Sequence, residues 1–476
     1  MSGPVAEADA GSAAAGPIQS GRFRRTAPLA GLAARTAGEA VIQALRKRTG
    51  TEGSAHDFHA RTAERYTELL GHSKGVLMKV GQMLSFVSLG TAIPPEYRAV
   101  YASALSRLQA DAPPMAPELA AATFEAELGR RPDEVFAEFS AESLAAASIG
   151  QVHQAMLHDG RKVAVKIQYP GVEQAIRADL DNAELLATFF ALLRSMFPHL
   201  TRIDVRAVAE EVAKKITEEV DYLNEAANQS QFADAYRGHP FIHVPDVIPE
   251  LSSRRVLTQE LAEGMLWHEA VQADQDSRDA WGEVIYRFAI GSLRRFGLFN
   301  ADPHPGNYIF HPDGSVSFVD FGCVVRFDSA QVAALADIVT AMCHNDAPRL
   351  RRAMVGAGAI NAVTGPTPDE LFEWWSGTFE MLLGPQPFTM TPELAAEGIR
   401  REFSPVGPSA SVVRSFSEPP GWVFLSRIDS GMMSVLGELR ATGYWRAIQA
   451  EYDEQADPIT RLGTEERRFW QEKAAR

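Results

Sequence analysis

Residues 298–322 read LFNADPHPGNYIFHPDGSVSFVDFG, and this stretch decides both the fold and the chemistry that the chain predicts. Short apolar segments flank a Pro-Asp-Gly turn, a pattern typical of a loop, a strand, a turn and a second strand. Asp302 lies five residues before Asn307, and Asp320 follows thirteen residues after Asn307. Carboxylate and amide oxygens suit a hard divalent cation that is shared with the phosphate oxygens of a substrate. The stretch therefore predicts a site for phosphate chemistry.

The same spacing occurs in protein kinases, where the catalytic-loop aspartate orients the attacking group and the asparagine binds a metal ion. An Asp-Phe-Gly motif supplies another metal ligand in those enzymes. We therefore predict that Asp302 is catalytic and that Asn307 and Asp320 bind Mg²⁺. Taken alone, each motif also fits an ordinary turn. The usual His-Arg before the aspartate is replaced here by Asn300-Ala301.

Two earlier segments complete a nucleotide site in the order that a kinase requires. Lys166 ends the segment VAVK in a strand predicted to follow a hairpin at Asp159-Gly160, and such a lysine holds the α- and β-phosphates of ATP. The segment VLTQELAEG (256–264) resembles a strand entering a kinase hinge. Backbone groups of Glu260 and Ala262 would then meet the adenine edge. We predict ATP or ADP, with Mg²⁺, as the ligands.

The phosphate loop departs from that of ordinary kinases. The stretch LAAASIGQVHQA (144–155) places Ala145, Ala146 and Ala147, followed by Ser148, where flexible glycines are expected. Alanine permits close approach of a phosphate but resists positive φ, so we expect a stiffer ATP-binding loop. No Ala-Pro-Glu motif and no long activation segment follow Asp-Phe-Gly. Docking of a peptide substrate in the conventional way is therefore not supported.

These stretches resemble the UbiB/AarF-type atypical kinase family, the "activity of bc1 complex" proteins. The matching stretches are KVGQ (79–82), AAASIGQVH (145–153), VAVKIQYPGV (163–172), EVDYLNEAAN (219–228), ADPHPGN (301–307) and FVDFG (318–322). The resemblance implies an α+β, two-lobed protein-kinase-like fold with an N-terminal helical extension. It also implies binding of Mg-nucleotide in support of ubiquinone or other prenyl-lipid biosynthesis, through ATP hydrolysis rather than protein phosphorylation.

The same resemblance assigns further site residues. Glu225 is the expected ion-pair partner of Lys166, which we also count as catalytic. Lys79, Gly81 and Gln82 form the family's KxGQ motif, on a helix that lies over the active site, and Lys79 is expected to act there. The residues that it would reach are the Glu-x-Asp pair, Glu219 and Asp221. Without the resemblance, the acidic residues would read as a solvated helix face and the KxGQ helix as packing.

The domain organisation follows from these motifs and from length, since 476 residues exceed what one hydrophobic core usually serves. We predict a disordered N-terminus (1–20), an N-terminal helical extension (21–130) and a kinase-like N-lobe with a helical insertion (131–262). A helical C-lobe (263–476) would carry the catalytic loop and Asp-Phe-Gly. The part of the C-lobe beyond residue 340 resembles the family only loosely.

Composition restricts the partners and the location. A net charge of −15 argues against nucleic-acid binding. Residues 21–48, however, carry seven arginine or lysine residues and one glutamate, so basic N-terminal helices could bind an anionic membrane surface. We predict a cytoplasmic protein, with membrane contact limited to its surface. The sequence shows two cysteines, no apolar signal segment and no apolar run long enough to span a bilayer.

Three functions remain open on this basis. The first is an atypical kinase or ATPase that serves quinone or prenyl-lipid metabolism, with a lipid or a phenolic quinone precursor as a possible ligand. The second is a small-molecule phosphotransferase of the aminoglycoside or choline kinase type, because those enzymes share the Asp-x-x-Pro-Gly-Asn loop. The third is a nucleotide-binding scaffold without catalysis.

Overall fold

A four-stranded antiparallel sheet forms the first lobe of the structure, a computed structural model that describes residues 115–147, 149–180, 214, 217–403, 410–417 and 422–475. The strands lie in the order β1-β2-β3-β5. In chain order the first elements are α1 (Pro117–Leu128), α2 (Pro132–Val135), β1 (Phe136–Ala147), β2 (Gly150–Leu157), β3 (Lys162–Gln168), α3 (Val172–Leu180), α4 (Tyr222–Tyr236), β4 (Ile242–His243) and β5 (Val256–Glu260). Strand β4 lies outside this sheet and pairs with Val316 and Ser317 of the second lobe.

Strand β3 shows why this sheet forms where it does. Val163, Val165 and Ile167 are fully buried on one face of the sheet, whereas Ala164 and Lys166 point to the other face, as the period of two along a strand requires. The predicted hairpin between β2 and β3 is confirmed. Gly160 has a φ of 87°, which suits glycine in a tight turn, and the Asp159 carboxylate accepts the amide of Arg161 at 3.0 Å.

The second lobe is mainly helical. Its elements are α5 (Trp267–Ala270), α6 (Gln275–Phe296), β6 (Leu298–Asn300), β7 (Tyr308–Phe310), β8 (Val316–Phe318), β9 (Val324–Arg326), α7 (Ser329–Cys343), α8 (Ala347–Gly356), α9 (Pro368–Thr378), α10 (Glu380–Leu383), β10 (Phe388–Thr389), α11 (Pro392–Phe403), α12 (Ala410–Ser415), α13 (Trp422–Leu439), β11 (Thr442–Gly443), α14 (Trp445–Asp453) and α15 (Arg461–Ala474). With the antiparallel sheet, they confirm the predicted α+β, two-lobed architecture.

The central helix α6 positions the stretch that is predicted to be catalytic, Asp302–Gly322, which is called the catalytic stretch below. Its N-cap, Asp274, accepts the amide of Ser277 at 2.9 Å, and Gly297 ends it with a φ of 62°, a left-handed conformation that glycine adopts without strain. The chain then turns at once into β6, which pairs with β9 through Asn300 and Val324. The loop that begins at Asp302 is therefore held between the end of a long helix and a small sheet.

Two large hydrophobic cores support the site. One surrounds the sheet of the first lobe, and it continues into the second lobe through Phe299, Ala301 and Cys323, which flank the catalytic stretch. The other packs α6 against α13 and α14 and includes the buried indoles of Trp281 and Trp445. Because the first core crosses between the lobes, the chain on either side of Asp302 and Asp320 is packed against the sheet that carries Lys166.

Several predictions fall on residues that the structure does not describe. These are the disordered terminus, the extension up to residue 114, the basic helices and the KxGQ helix. The prediction of an alanine-rich loop was wrong in one respect, because Ala145, Ala146 and Ala147 form the end of β1 and pair with Val152, Gln151 and Gly150. Alanine resists positive φ, so the chain stays extended up to the turn. Across the part of the chain that is described, no helix is long and apolar enough to cross a membrane.

Candidate active site

Lys166 lies at the centre of the candidate site. Its ammonium nitrogen Nζ donates to both carboxylate oxygens of Glu225, at 2.8 and 2.9 Å, and to Oδ2 of Asp320 at 3.2 Å. The side chain of Lys166 is 14% exposed and that of Glu225 only 3%. Strand β3, helix α4 and the segment after β8 thus bring three predicted residues together, across sequence separations of 59 and 154 residues.

The N-terminal end of helix α4 orients Glu225. Asp221 is its N-cap and accepts the amide of Leu223 at 3.0 Å, while the Nε atom of Arg254 lies 3.5 Å from the Asp221 carboxylate. Glu225 occupies the first turn of the helix, where a carboxylate is favoured by the helix dipole. Asp221, predicted as half of the Glu-x-Asp pair, therefore acts here as the cap that sets the start of the helix.

Glu219, the other half of that pair, adds a third carboxylate. It is 7% exposed, and a β-carbon on Gly322 would lie within 4 Å of Glu219, Glu225 and Asp320. Burial raises the pKa of Glu225 to about 7; Lys166 opposes that shift, and the Asp320 and Glu219 carboxylates add to it. Burial lowers the pKa of Lys166, but the carboxylates outweigh burial and hold it well above its usual value. Glu225 and Asp320 thus place two carboxylates against one ammonium, with the buried Glu219 nearby, which leaves negative charge for a further cation.

The catalytic loop is tied together by Asn307. Its side-chain nitrogen Nδ2 donates to the Asp302 carbonyl at 3.0 Å and to the Asp302 carboxylate at 3.1 Å. The carboxylate is thereby aimed by the same residue that was predicted to bind metal. Since Nδ2 makes both bonds, Oδ1 is the atom of Asn307 that is left in position to serve as a metal ligand.

Asn300 connects this loop to the Asp-Phe-Gly segment. Its Nδ2 donates to the Asp320 carbonyl at 2.8 Å, and its Oδ1 accepts the Asp302 amide at 3.2 Å. The substitution that looked like a defect in the kinase pattern is thus a bridge between Asp302 and Asp320, the aspartates predicted to be catalytic and metal-binding. Sequence reasoning noted this residue but assigned it no role.

The donor set fits Mg²⁺ that is shared with a nucleotide. Asp320 offers a carboxylate, oriented by the Gly322 amide, which donates to Oδ1 at 2.9 Å, and Asn307 offers an amide oxygen. Within the described residues, no three His, Cys, Asp or Glu side chains gather as a complete metal cage. Mg²⁺ is usually held by one or two protein oxygens together with phosphates and water. One oxygen from Asp320 and one from Asn307 therefore fit such a site.

The hinge segment lies beside β3. Glu260 is opposite Val163 in the ladder, and its amide donates to the Asp246 carbonyl at 2.9 Å, so its own carbonyl also points away from β3. Ala262 follows two residues later, after Leu261 donates to the Lys162 carbonyl. The roles of Glu260 and Ala262 toward adenine remain predictions.

Gln259 was missed by sequence reasoning. It lies opposite Ala164 in the ladder and therefore on the same face of the sheet as Lys166. Its Nε2 donates to the Val319 carbonyl at 3.4 Å, immediately before Asp320. Strand β5 is in this way linked to the segment that carries Asp320.

Two more residues of α4 contact Phe321 of the Asp-Phe-Gly motif. Asn228 donates from Nδ2 to the Phe321 carbonyl at 3.1 Å, and the ring of Phe232 lies 4.8 Å from that of Phe321, centre to centre. Asn228 and Phe232 follow Glu225 by three and seven residues and so lie on the same helix face, a signal that the sequence already carried. Ser148, Lys79, Gly81 and Gln82 lie outside the described residues, so their predicted roles are untested.

Comparisons with known proteins match the motifs and the geometry. The family profile described as ABC1 atypical kinase-like domain matches residues 107–354. ACTIVITY OF BC1 COMPLEX KINASE 7 of Arabidopsis thaliana, a chloroplastic protein, is 32% identical over 61% of this chain and 40% of its own length. Atypical kinase COQ8B of Rattus norvegicus, a mitochondrial protein, is 31% identical over 63% of this chain and 55% of its own length. The chain thus spans about half the length of the curated relatives that it matches.

A solved structure extends the match to the whole fold. The complex of Rv3197 with erythromycin from Mycobacterium tuberculosis is 29% identical and superposes with a TM-score of 0.59. The superposition covers 87% of this chain and 98% of that one. The helical region that follows the catalytic stretch is therefore shared with a known fold, although its sequence resembles the family only loosely.

Proposed function

The chain belongs to the ABC1 atypical kinase-like family, and on that premise we propose that it binds Mg-ATP and hydrolyses it in support of quinone or other prenyl-lipid biosynthesis. The observation that carries the proposal is the bonding of Lys166 to Glu225 and Asp320 at once. The phosphate-binding lysine, its helix partner and the metal-binding aspartate are already within bonding distance, as phosphoryl transfer requires.

The roles of the side chains follow from their contacts. Lys166 binds the phosphates of the nucleotide, and Glu225 holds its ammonium in place. Asp302 orients the attacking water by accepting a hydrogen bond from it, while Asn307 fixes the direction of the Asp302 carboxylate. Asn307 Oδ1 and the Asp320 carboxylate would hold Mg²⁺. The bound ion would neutralise the charge that develops on the transferred phosphate.

Hydrolysis is favoured over protein phosphorylation because a peptide platform is lacking among the described residues. Only Cys323–Asp328, including the short strand β9, separate Gly322 from helix α7. A kinase that docks peptides uses a long activation segment at this place. We therefore propose water or a small lipid-linked hydroxyl as the acceptor, with an anionic membrane surface and a phenolic quinone precursor as ligands that modulate turnover.

Purified protein tests this proposal directly. We expect saturable Mg-ATP binding and slow phosphate release, stimulated by anionic vesicles or by phenolic quinone-precursor mimics. Asp320→Asn should weaken binding in the presence of Mg²⁺ and abolish turnover. Absence of nucleotide binding, or binding that Asp320→Asn leaves unchanged, would overturn the proposal.

A small-molecule phosphotransferase is the second candidate, and one observation favours it. The solved neighbour was captured with erythromycin, a macrolide, so a protein of this fold holds a hydroxylated small molecule. The Asp-x-x-Pro-Gly-Asn loop formed by Asp302–Asn307 points the same way. Stoichiometric transfer of phosphate from ATP to a macrolide, an amino sugar or a small alcohol, detected by mass spectrometry, would favour this candidate over hydrolysis.

A further inference from the structure

The C-terminal helix α15 packs against the far end of α4, the helix that carries Glu225. Nζ of Lys473 donates to the backbone carbonyls of Asp234 and Ala235, at 3.0 and 2.5 Å. These are among the last carbonyls of α4, which no residue within the helix can satisfy. A cation at this end also complements the helix dipole.

Aromatic side chains reinforce the same contact. The ring of Trp470 lies edge-on to that of Tyr236, with 5.8 Å between ring centres, and Phe469 packs against His239 at 4.8 Å. The Tyr236 hydroxyl in turn bonds Ser292 of α6 at 2.8 Å. The last turn of α4 is therefore held by both α6 and α15.

Helix α15 is itself firmly anchored. Glu466, on its inner face, bonds the fully buried Arg287 at 3.0 Å and the Tyr452 hydroxyl at 2.7 Å. The ring of Trp470 lies under the Arg295 guanidinium at 4.7 Å. A helix fixed in this way can act as a support for α4 rather than follow its movements.

The contacts of α4 form one continuous stripe. Glu225, Asn228, Phe232 and Tyr236 are spaced by three, four and four residues, so they share a face of the helix. The first three contact Lys166 and Phe321, and the fourth contacts α15. Any rotation of α4 that released its C-terminal end would also turn Glu225 away from Lys166.

The segment between Asp-Phe-Gly and α7 contacts the middle of α4 rather than its C-terminal end. It contains only residues 323–328, too few to form the activation segment that positions the corresponding helix in conventional kinases. Its Arg326 contacts α4 through Asn228 and Gln231, on the exposed side. The C-terminal helix contacts the other end of α4, at Asp234, Ala235 and Tyr236.

We infer that helix α15 positions Glu225 for nucleotide chemistry, with Lys473 as the positioning residue that fixes the C-terminal end of α4. The inference rests on the proposed ATP turnover. It assigns to the last helix of the described chain a part in the active site, although that helix touches neither Lys166 nor Asp320.

The test replaces Lys473 by methionine, which keeps an apolar side chain of similar length but removes the ammonium that donates to α4 and lies near the rings of Phe469 and Trp470. We expect the kcat for phosphate release to fall about threefold to tenfold, with little change in the KM for ATP. Lys473→Arg, which restores a cation and donors, should recover most of the loss. Arg468→Met is the matched control, because Arg468 is 80% exposed on the same helix and pairs only with Glu472 among the residues described.

A double-variant cycle separates positioning from general stability. If Lys473 acts through Glu225, Lys473→Met should have no further effect on single-turnover phosphate release in a Glu225→Gln background. Amide hydrogen exchange in residues 232–236 should become faster in Lys473→Met while the melting temperature changes little.

An unchanged kcat in Lys473→Met would overturn the inference alone. So would an equal fall in the Glu225→Gln background, or an equal fall in the Arg468→Met control. If the parent neither binds nor hydrolyses ATP, the proposed function fails and the inference fails with it.

Discussion

Replacing the two members of the Lys166–Glu225 pair one at a time should have very unequal effects on stability, although loss of Glu225 alone should still slow turnover. The side chains are almost wholly buried, and two carboxylates, those of Glu225 and Asp320, bond one ammonium. Lys166→Met leaves these carboxylates without their cation. Removing one partner of a buried ion pair costs about 3–5 kcal/mol, so we expect the free energy of unfolding to fall by that amount.

Glu225→Gln removes a carboxylate whose pKa burial already raises to about 7, and it leaves Lys166 paired with Asp320 at 3.2 Å. The free energy of unfolding should therefore change by less than about 1 kcal/mol at pH 7. Turnover should nevertheless fall, because Lys166 exchanges two hydrogen bonds to a carboxylate for at most one to the uncharged glutamine oxygen. Such bonds contribute roughly 1.5–3 kcal/mol, equivalent to a loss of about tenfold to a hundredfold in kcat.

Urea unfolding followed by circular dichroism and phosphate release under saturating Mg-ATP measure the two quantities. Glu173→Gln is the matched control, since Glu173 pairs with Arg177 and Arg254 at the surface of the same lobe. We expect that control to change neither quantity appreciably. The electrostatic reasoning is refuted if Glu225→Gln destabilises the fold as much as Lys166→Met does, and the catalytic reasoning is refuted if Glu225→Gln turns over like the parent.

Three further predictions concern separate parts of the chain. The β-carbon in Gly322→Ala would lie 3.3 Å from Oδ1 of Asp320 and displace that carboxylate. Calorimetry should therefore show roughly tenfold weaker Mg-ATP binding, and an unchanged affinity would contradict this prediction. Burial raises the pKa of Asp429 to about 7 against the opposing Arg294, so the parent should lose stability as pH rises from about 4 to 7. Asp429→Asn should match the parent at pH 4 and exceed it by up to about 4 kcal/mol at pH 8 in urea titrations. An equal difference at both pH values would refute the assignment. Arg287→Met strands three carboxylates around a fully buried site and should lower the free energy of unfolding by about 3–5 kcal/mol, whereas a loss below 1 kcal/mol would contradict the ion-pair account.

The order of strands and loops around the catalytic stretch could be predicted from sequence because it depends on neighbours in the chain. The Asp159-Gly160 hairpin, the alternation in β3 and the spacing from Asp302 to Asn307 are local patterns, and each appears in the structure where it was expected. The alanine-rich stretch was misread as a loop because the sequence of one strand does not show its pairing with the next.

The ion pair of Lys166 with Glu225 was predicted only through the family resemblance, since 59 residues separate the two. The bridge made by Asn300, the link from Gln259 to Val319 and the contact of Lys473 with α4 were not predicted at all. No periodicity or motif spacing encodes them, because each depends on which surfaces come together once the two lobes have packed.

By itself, therefore, the sequence determined the class of fold and the order of the residues that are predicted to bind phosphate and metal. Strand period, turn residues and motif spacing act over a few residues and can be read along the chain. Only the tertiary structure decided how the negative charge around Lys166 is balanced and which helix supports Glu225. Those depend on burial and on contacts across 59 to 239 residues, where packing rather than local preference chooses the partner.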